Sequence, residues 1–403
     1  MNYDEQLYDP EDQALDDQLE NEEDLVPQKL RTISQVTVTA TDWTSETLLN
    51  QLIRGNIQLN PKFQRRDAWT KERKGKFIES IFLGLPIPQI VLAELKEKRG
   101  KYIVIDGKQR LLSLIQFAGK PESTEFDTVK LKGLEIRNDL NGHTLSSLEN
   151  SPAFNDDVTA FQNHTIRTVV VKNWPNEDFL YLLFLRLNTG SVRLSPQELR
   201  QALHPGPFVD FADDFSGQSP ALRRILKIKG KQDFRMRDVE LLIRYYAFRN
   251  YLPEYNGNLK SFLDNTCKQL NTRWETEEIL VREQAKNLED AITTTEMVFE
   301  RVAFKKWNGN SFEGIFNRAI FDIMTYYFCI DDISNAAKQN RVLLVEKFKE
   351  ACLNQDFRGS IETTTKSLQA TYTRFNVWAN ILQEVLKIPV PIPSFVDGRI
   401  IME

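Results

Sequence analysis

The pentapeptide DGKQR, Asp106 to Arg110, places an acid, two bases and an amide around one glycine, where the β-branched run YIVI gives way to the amphipathic LLSLIQFA. Asp106 stands where a helix N-cap would, and Gly107 removes the side chain that would block close approach to the backbone. The free N–H groups of a helix starting at Gln109 would form a positive pocket for phosphate or carboxylate, and Lys108 and Arg110 would add full charges. The same residues also suit an ordinary surface turn, in which Asp106 only caps the helix and the bases are solvated. One pentapeptide leaves both readings open.

Two further clusters carry similar chemistry. FQRR, Phe63 to Arg66, followed by Trp69, sets Gln64 and Arg65 among aromatics at the end of a short strand. LNTG leading into LSPQEL offers Asn188, Thr189, Gly190, Gln197 and Glu198 beside a second helix start. There Ser195 and Glu198 stand three apart with Pro196 at the first helical position, the pattern of a capping box. Each cluster has a structural alternative: a polar face over buried aromatics in the first, a capped helix–loop–helix connection in the second.

The elements that must position these residues are legible from periodicity. TSETLLNQLIRG puts Leu48, Leu49, Leu52 and Ile53 on one helical face and stops at Gly55, and KERKGKFIESIFLG does the same with Phe77, Ile78, Ile81, Phe82 and Gly84. QIVLAEL and KYIVI flank the polar KEKRG, which predicts a hairpin. TVKLKGLEI and TIRTVVV read as strands, a short helix is expected near 144, and PNEDFLYLLFLRL reads as a helix. From about 220 onward every strong pattern is helical, from RMRDVELLIRYYAFRN to TKSLQATYTRFNVWANILQEVL, and no strand is expected there.

Composition bounds the class. The chain has 403 residues, 41% apolar and 27% charged, enough for two or three domains with sizeable cores. No apolar run reaches the roughly 18 residues that span a bilayer, and the start lacks the pattern of a secretory signal. A soluble cytoplasmic protein without membrane contact is expected. Cys267, Cys329 and Cys352 are odd in number and in no metal-ligand spacing, and His143, His164 and His204 are scattered. Eleven acids precede the first base, Lys29, so removing this −11 from the net −5 leaves about +6 on the remainder. Residues 1–30 read as a disordered acidic tail. The mildly basic body permits contact with a polyanion.

FQRRDAW, IDGKQR, FLRLNTGSVRLSPQELRQAL and RDVELLIRYYAF, in that order, resemble the N-terminal domain family of GmrSD-type restriction endonucleases, within the ParB/sulfiredoxin-like superfamily. The resemblance covers roughly residues 40 to 250. It implies an α+β chain: a ParB/sulfiredoxin-like α/β nucleotide-binding domain at 31–215, followed by a helical domain at 216–403. Members are linked with NTP binding or hydrolysis in bacterial restriction and phage defence. The family's D-G-Q-Q-R motif falls on Asp106, Gly107, Lys108, Gln109 and Arg110, with lysine where glutamine is usual. Its Q-R pair falls on Gln64 and Arg65, and its L-N-x-G and Q-E-L elements on Leu187 to Gly190 and Gln197 to Leu199. On this reading Arg65, Lys108 and Arg110 bind phosphate oxygens of an NTP, Gly107 lets the backbone approach, and Asp106 or Glu198 holds Mg²⁺ or orients a water.

The chain has no histidine after His204, so a C-terminal HNH nuclease is not expected. The helical half reads as a regulatory or partner-binding module, with any cutting left to a separate nuclease subunit. The leading expectation is thus a nucleotide-dependent sensor or effector that binds and hydrolyses an NTP, acting with a partner or on DNA. A non-catalytic DNA-binding adaptor is the alternative, drawn from basic runs such as RRILKIKGK, Arg223 to Lys231. A ParB-like metal-dependent nuclease using Asp106 and Glu198 is a minor option. A homo-oligomer is compatible with each.

Overall fold

A computed structural model of the chain describes residues 36–59, 68–119, 126–187, 195–229, 232–233, 235–362 and 365–402. The acidic tail, Gln64, Arg65 and the run Asn188, Thr189, Gly190 lie outside the described residues. The chain divides into two compact units, one spanning Val26–Leu203 and the other including His204–Glu403. The layout is α+β: a mixed sheet in the first unit, helices in the second.

The first unit opens with strand β1 (Thr37–Thr44) and helix α1 (Ser45–Ile53). Thr44 caps α1 by accepting the Thr47 N–H at 3.1 Å, and Leu48, Leu49 and Leu52 are buried on the expected face. After β2 (Ile57–Gln58) comes α2 (Lys71–Phe82), capped by Thr70 and closed at Gly84, whose φ of +69° favours glycine. The expected hairpin forms as β3 (Ile90–Leu95) and β4 (Lys98–Asp106), and β4 feeds α3 (Lys108–Ala118). Then follow α4 (Leu145–Glu149), α5 (Asn155–Asn163), β5 (Thr165–Lys172), α6 (Glu177–Leu187) and α7 (Pro196–Leu203).

The sheet order is β1-β5-β3-β4-β2. β5 runs antiparallel to β1 and parallel to β3, while β4 is antiparallel to β3 and parallel to β2. The central strands are apolar and buried, as strands covered by helices must be. Phe82 of α2, Phe117 of α3 and Phe161 of α5 meet with ring centroids 5.1–6.0 Å apart, tying three helices into one core. Such aromatic pairs add about 0.5–1.5 kcal/mol each beyond area burial.

The run 128–136 corrects an expectation: TVKLKGLEI forms no strand. Its last two backbone donors go to a side chain instead, while those of Val129 and Leu131 go to the Gln116 and His143 carbonyls. The buried carboxylate of Glu79 on α2 accepts the N–H groups of Glu135, Ile136 and Arg137 at 3.2, 2.8 and 2.7 Å. Burial pushes the Glu79 carboxyl up, but the three N–H bonds outweigh it and hold the group below the ordinary glutamate range.

The second unit is a helical assembly: α8 (Pro207–Gln218), α9 (Pro220–Ile225), α10 (Arg237–Tyr251), α11 (Leu259–Phe299), α12 (Arg318–Phe328), α13 (Asp331–Gln339), α14 (Arg341–Leu353), α15 (Gln355–Glu362) and α16 (Leu368–Leu386). α11 spans 41 residues, about 60 Å at 1.5 Å per residue, and α8, α10, α12, α13 and α14 all pack along it. Because α8 packs on α10 and α11, the helical unit begins at His204, ahead of the boundary at 216 that the sequence suggested. Within it Arg244 grips Asp322 with two bonds, Nε to Oδ1 at 3.0 Å and Nη2 to Oδ2 at 2.5 Å, and Arg374 reaches the same carboxylate at 3.4 Å.

The absence of strands after 220 is also corrected. Residues Pro393–Val396 (β6) and Arg399–Met402 (β7) form an antiparallel hairpin. Asp397 and Gly398 both have positive φ, 50° and 73°, as an Asp-Gly turn of the type favoured in two-residue hairpins requires. No helix among the described residues is long and apolar enough to cross a membrane.

Candidate functional site

β4 ends at Asp106, which pairs in register with Val91, and the chain turns into α3 through Gly107. Gly107 has φ +98°, and a Cβ there would lie 3.1 Å from Ile90 Cγ1 and 3.3 Å from the Arg110 guanidinium. Only glycine meets both demands. Gly107, not Asp106, occupies the N-cap position, and no side chain caps α3. The expected cap is therefore corrected. The Asp106 carboxylate instead accepts the Gly107 N–H at 2.8 Å through Oδ1 and Arg110 Nη2 at 2.9 Å through Oδ2. Arg110 Nη2 also donates to the Gln89 carbonyl at 3.0 Å, so the guanidinium lies across the turn.

Lys108 is 4% exposed and forms an ion pair with Glu198, itself 6% exposed, at the start of α7. The opposite carboxylate oxygen of Glu198 accepts the Ser195 N–H at 2.7 Å, and Ser195 Oγ accepts the Glu198 N–H at 3.2 Å. That exchange is the capping box read from SPQEL. One glutamate thus closes the first turn of α7 and neutralises a lysine of the DGKQR motif, bringing two of the three clusters together. The bases at this turn are not solvated, which removes the surface-turn reading.

Near this pair in sequence, Gln109 Oε1, Arg110 Nε and Gln197 Nε2 are buried and have no hydrogen-bond partner among the described residues. Gln197 is 2% exposed, and its Oε1 accepts Arg200 Nη1 at 2.8 Å. The guanidinium fixes which end of the amide faces it, so Nε2 is left as a donor. Buried polar atoms without partners are rare in folded proteins, and each is met by a water, an ion or a bound group, or stores strain. Arg200 went unremarked in the sequence, although its place three residues after Gln197 on one helix was the available signal.

Asp106 pairs with Arg110 and Lys108 with Glu198, so these four charges cancel, and Arg200 is engaged by Gln197. Anion affinity among the described residues therefore rests on the uncapped start of α3 and on the donors Arg110 Nε and Gln197 Nε2. For a divalent cation, Asp106 is the accessible carboxylate, at 35% side-chain exposure. Glu198 is enclosed between an ammonium and a backbone N–H.

A mixed five-stranded sheet whose strand-to-helix turn carries an uncapped helix start defines an α+β domain with a candidate anion site. Residues 46–205 match the family model described as GmrSD restriction endonuclease, N-terminal domain, and this segment is a domain of that family. The matched range includes the whole of the site just described. No curated protein and no solved structure matches the chain.

Proposed function

We propose that the N-terminal unit binds the phosphates of a nucleoside triphosphate at the start of α3, and that the chain is a nucleotide-dependent sensor or effector in a restriction system. The restriction role rests on the family that residues 46–205 match. The observation that carries the nucleotide reading is the conjunction of an uncapped eleven-residue helix, a glycine at φ +98°, and orphaned buried donors at Arg110 Nε and Gln197 Nε2.

In this reading the first N–H groups of α3 and the two orphaned donors meet phosphate oxygens, and Gly107 lets the phosphate approach the backbone. Gln109 Oε1 accepts from a hydroxyl or amine of the same ligand. Glu198 holds Lys108 in place. Asp106 would hold Mg²⁺, which supplies charge neutralisation on the phosphates, or would orient a water for hydrolysis. The helical unit then passes the bound state to DNA or to a separate nuclease subunit.

The test is a panel of ATP, GTP, CTP and UTP, with and without Mg²⁺ and DNA, read for binding and for phosphate release. Saturable binding of at least one nucleotide supports the site, and phosphate release makes it an NTPase. No binding to any nucleotide by folded protein removes the reading and leaves the DNA-binding adaptor.

A further inference from the structure

The run 128–136, which forms no strand, is not used by the nucleotide reading, yet it walls a cavity of about 710 Å³ in the N-terminal unit. Lys130 and Lys132 come from this run, while Lys71 comes from the first position of α2, nearly sixty residues earlier. Thr128, Leu131 and the turn at Asn141 and Gly142 help to complete the lining, which holds no acid among the described residues. Lys132 pairs with Glu72, outside the lining, at 2.9 Å. Lys71 and Lys130 form no ion pair with a described residue, so two uncompensated ammonium groups share one concavity.

Specific contacts fix the walls. Gly75 lets the run lie directly on α2, because a Cβ there would stand 2.3 Å from the Lys132 carbonyl oxygen. The Leu131 N–H donates to the His143 carbonyl at 2.9 Å and the Gly142 N–H to the Leu131 carbonyl at 2.8 Å, which ties the two sides of the loop together. Glu79 holds the next three N–H groups, at 135–137. The Val129 N–H donates to the Gln116 carbonyl at 3.0 Å, near the end of α3. The cavity therefore lies at the other end of α3 from the DGKQR turn, about 16 Å away for an eleven-residue helix.

We propose that this cavity binds a small ligand carrying two phosphate groups, a bisphosphate or a diphosphate ester, with Lys71, Lys130 and Lys132 on the phosphate oxygens. Its volume falls within the roughly 300–1,000 Å³ of small-molecule pockets, whereas a nucleic-acid strand is met along an extended basic groove. Ammonium groups act as compact point charges that suit phosphate, and the lining has no guanidinium to grip a planar carboxylate at two points. Two phosphates bring about −3 to −4 at neutral pH, which matches three converging ammonium groups better than one phosphate does. The cavity shares no lining residue with the DGKQR turn, so it does not depend on the nucleotide reading.

The full-length chain is titrated calorimetrically with inorganic pyrophosphate and with fructose 1,6-bisphosphate at several salt concentrations, in buffer free of phosphate. The double variant Lys71→Gln/Lys130→Gln, which changes two exposed side chains, is compared with Lys98→Gln, an exposed base outside the cavity. Circular dichroism confirms that each variant folds. The proposal predicts saturable binding of at least one probe by wild type, weaker as salt rises. It predicts a loss of about 10-fold or more in the double variant, as two charge-assisted contacts disappear. Lys98→Gln stays within about twofold of wild type. Arg110→Ala, which tests the nucleotide site, keeps its affinity for the probe, so the two readings fail separately. Loss of probe binding in Arg110→Ala would place the probe at the DGKQR turn and overturn the proposal. No binding of either probe by wild type overturns it, as does unchanged affinity in the folded double variant. Binding of citrate as tight as that of pyrophosphate, or of duplex DNA in place of both probes, overturns the ligand class.

Discussion

The ammonium of Lys108 and the carboxylate of Glu198, ninety residues apart in sequence, form a buried ion pair that joins the start of α3 to the start of α7. Removing one partner strands the other's charge away from water, at a cost of about 3–5 kcal/mol. Lys108→Ala should lower unfolding free energy by that amount in urea denaturation. The double variant Lys108→Met/Glu198→Met should recover much of the loss, because no unpaired charge remains. Equal losses in the single and double variants would show that the pair contributes through shape alone.

Gly107→Ala should cost about 1–3 kcal/mol, because the backbone is left-handed there and the added methyl meets Ile90 and Arg110. The same methyl pushes on the guanidinium that carries the orphaned Nε, so nucleotide affinity should fall together with stability. Denaturation and binding measured on one preparation check both effects.

Glu79 organises the loop at 135–137 through its ionised form. Its folded pKa is depressed, so its contribution is present above the unfolded value, near 4.5, and is lost as pH falls through the folded value. Wild type should therefore lose more stability between neutral and acid pH than Glu79→Gln does. Parallel curves for the two proteins would contradict the assignment.

Asp322→Ala should destabilise the helical unit by about 3–5 kcal/mol, since it leaves Arg244 and Arg374 buried without their shared carboxylate. Asp322→Asn keeps the shape but not the charge and should lose nearly as much. Thermal unfolding followed by circular dichroism reads both.

Much of the fold is legible from spacing. The glycine stops at Gly55 and Gly84 and the faces of α1 and α2 follow directly from periodicity, and the polar KEKRG run marks the β3–β4 hairpin. TVKLKGLEI misleads because the donors at its end are taken by Glu79, a partner more than fifty residues away that no local pattern reveals, and those of Val129 and Leu131 by carbonyls outside any sheet. The C-terminal hairpin had a visible sign in Asp397-Gly398, masked by the helical periodicity all around it. At the site, the capping box of Ser195 and Glu198 is local and readable. The capture of Lys108 by Glu198 is not, because it depends on how β4 and α7 pack. Asp106 was expected to cap α3, but the left-handed turn at Gly107 moves the cap position one residue on.

The most direct test of the nucleotide site is isothermal titration of the preferred nucleotide into wild type, Arg110→Ala and Gln197→Leu. Arg110→Ala removes an orphaned donor and part of the guanidinium over the turn; Gln197→Leu removes the other donor while keeping the volume. The account predicts saturable binding by wild type and a loss of about 10-fold or more in each folded variant, since a hydrogen bond to a charged group contributes about 1.5–3 kcal/mol. Wild-type affinity in both variants would contradict it.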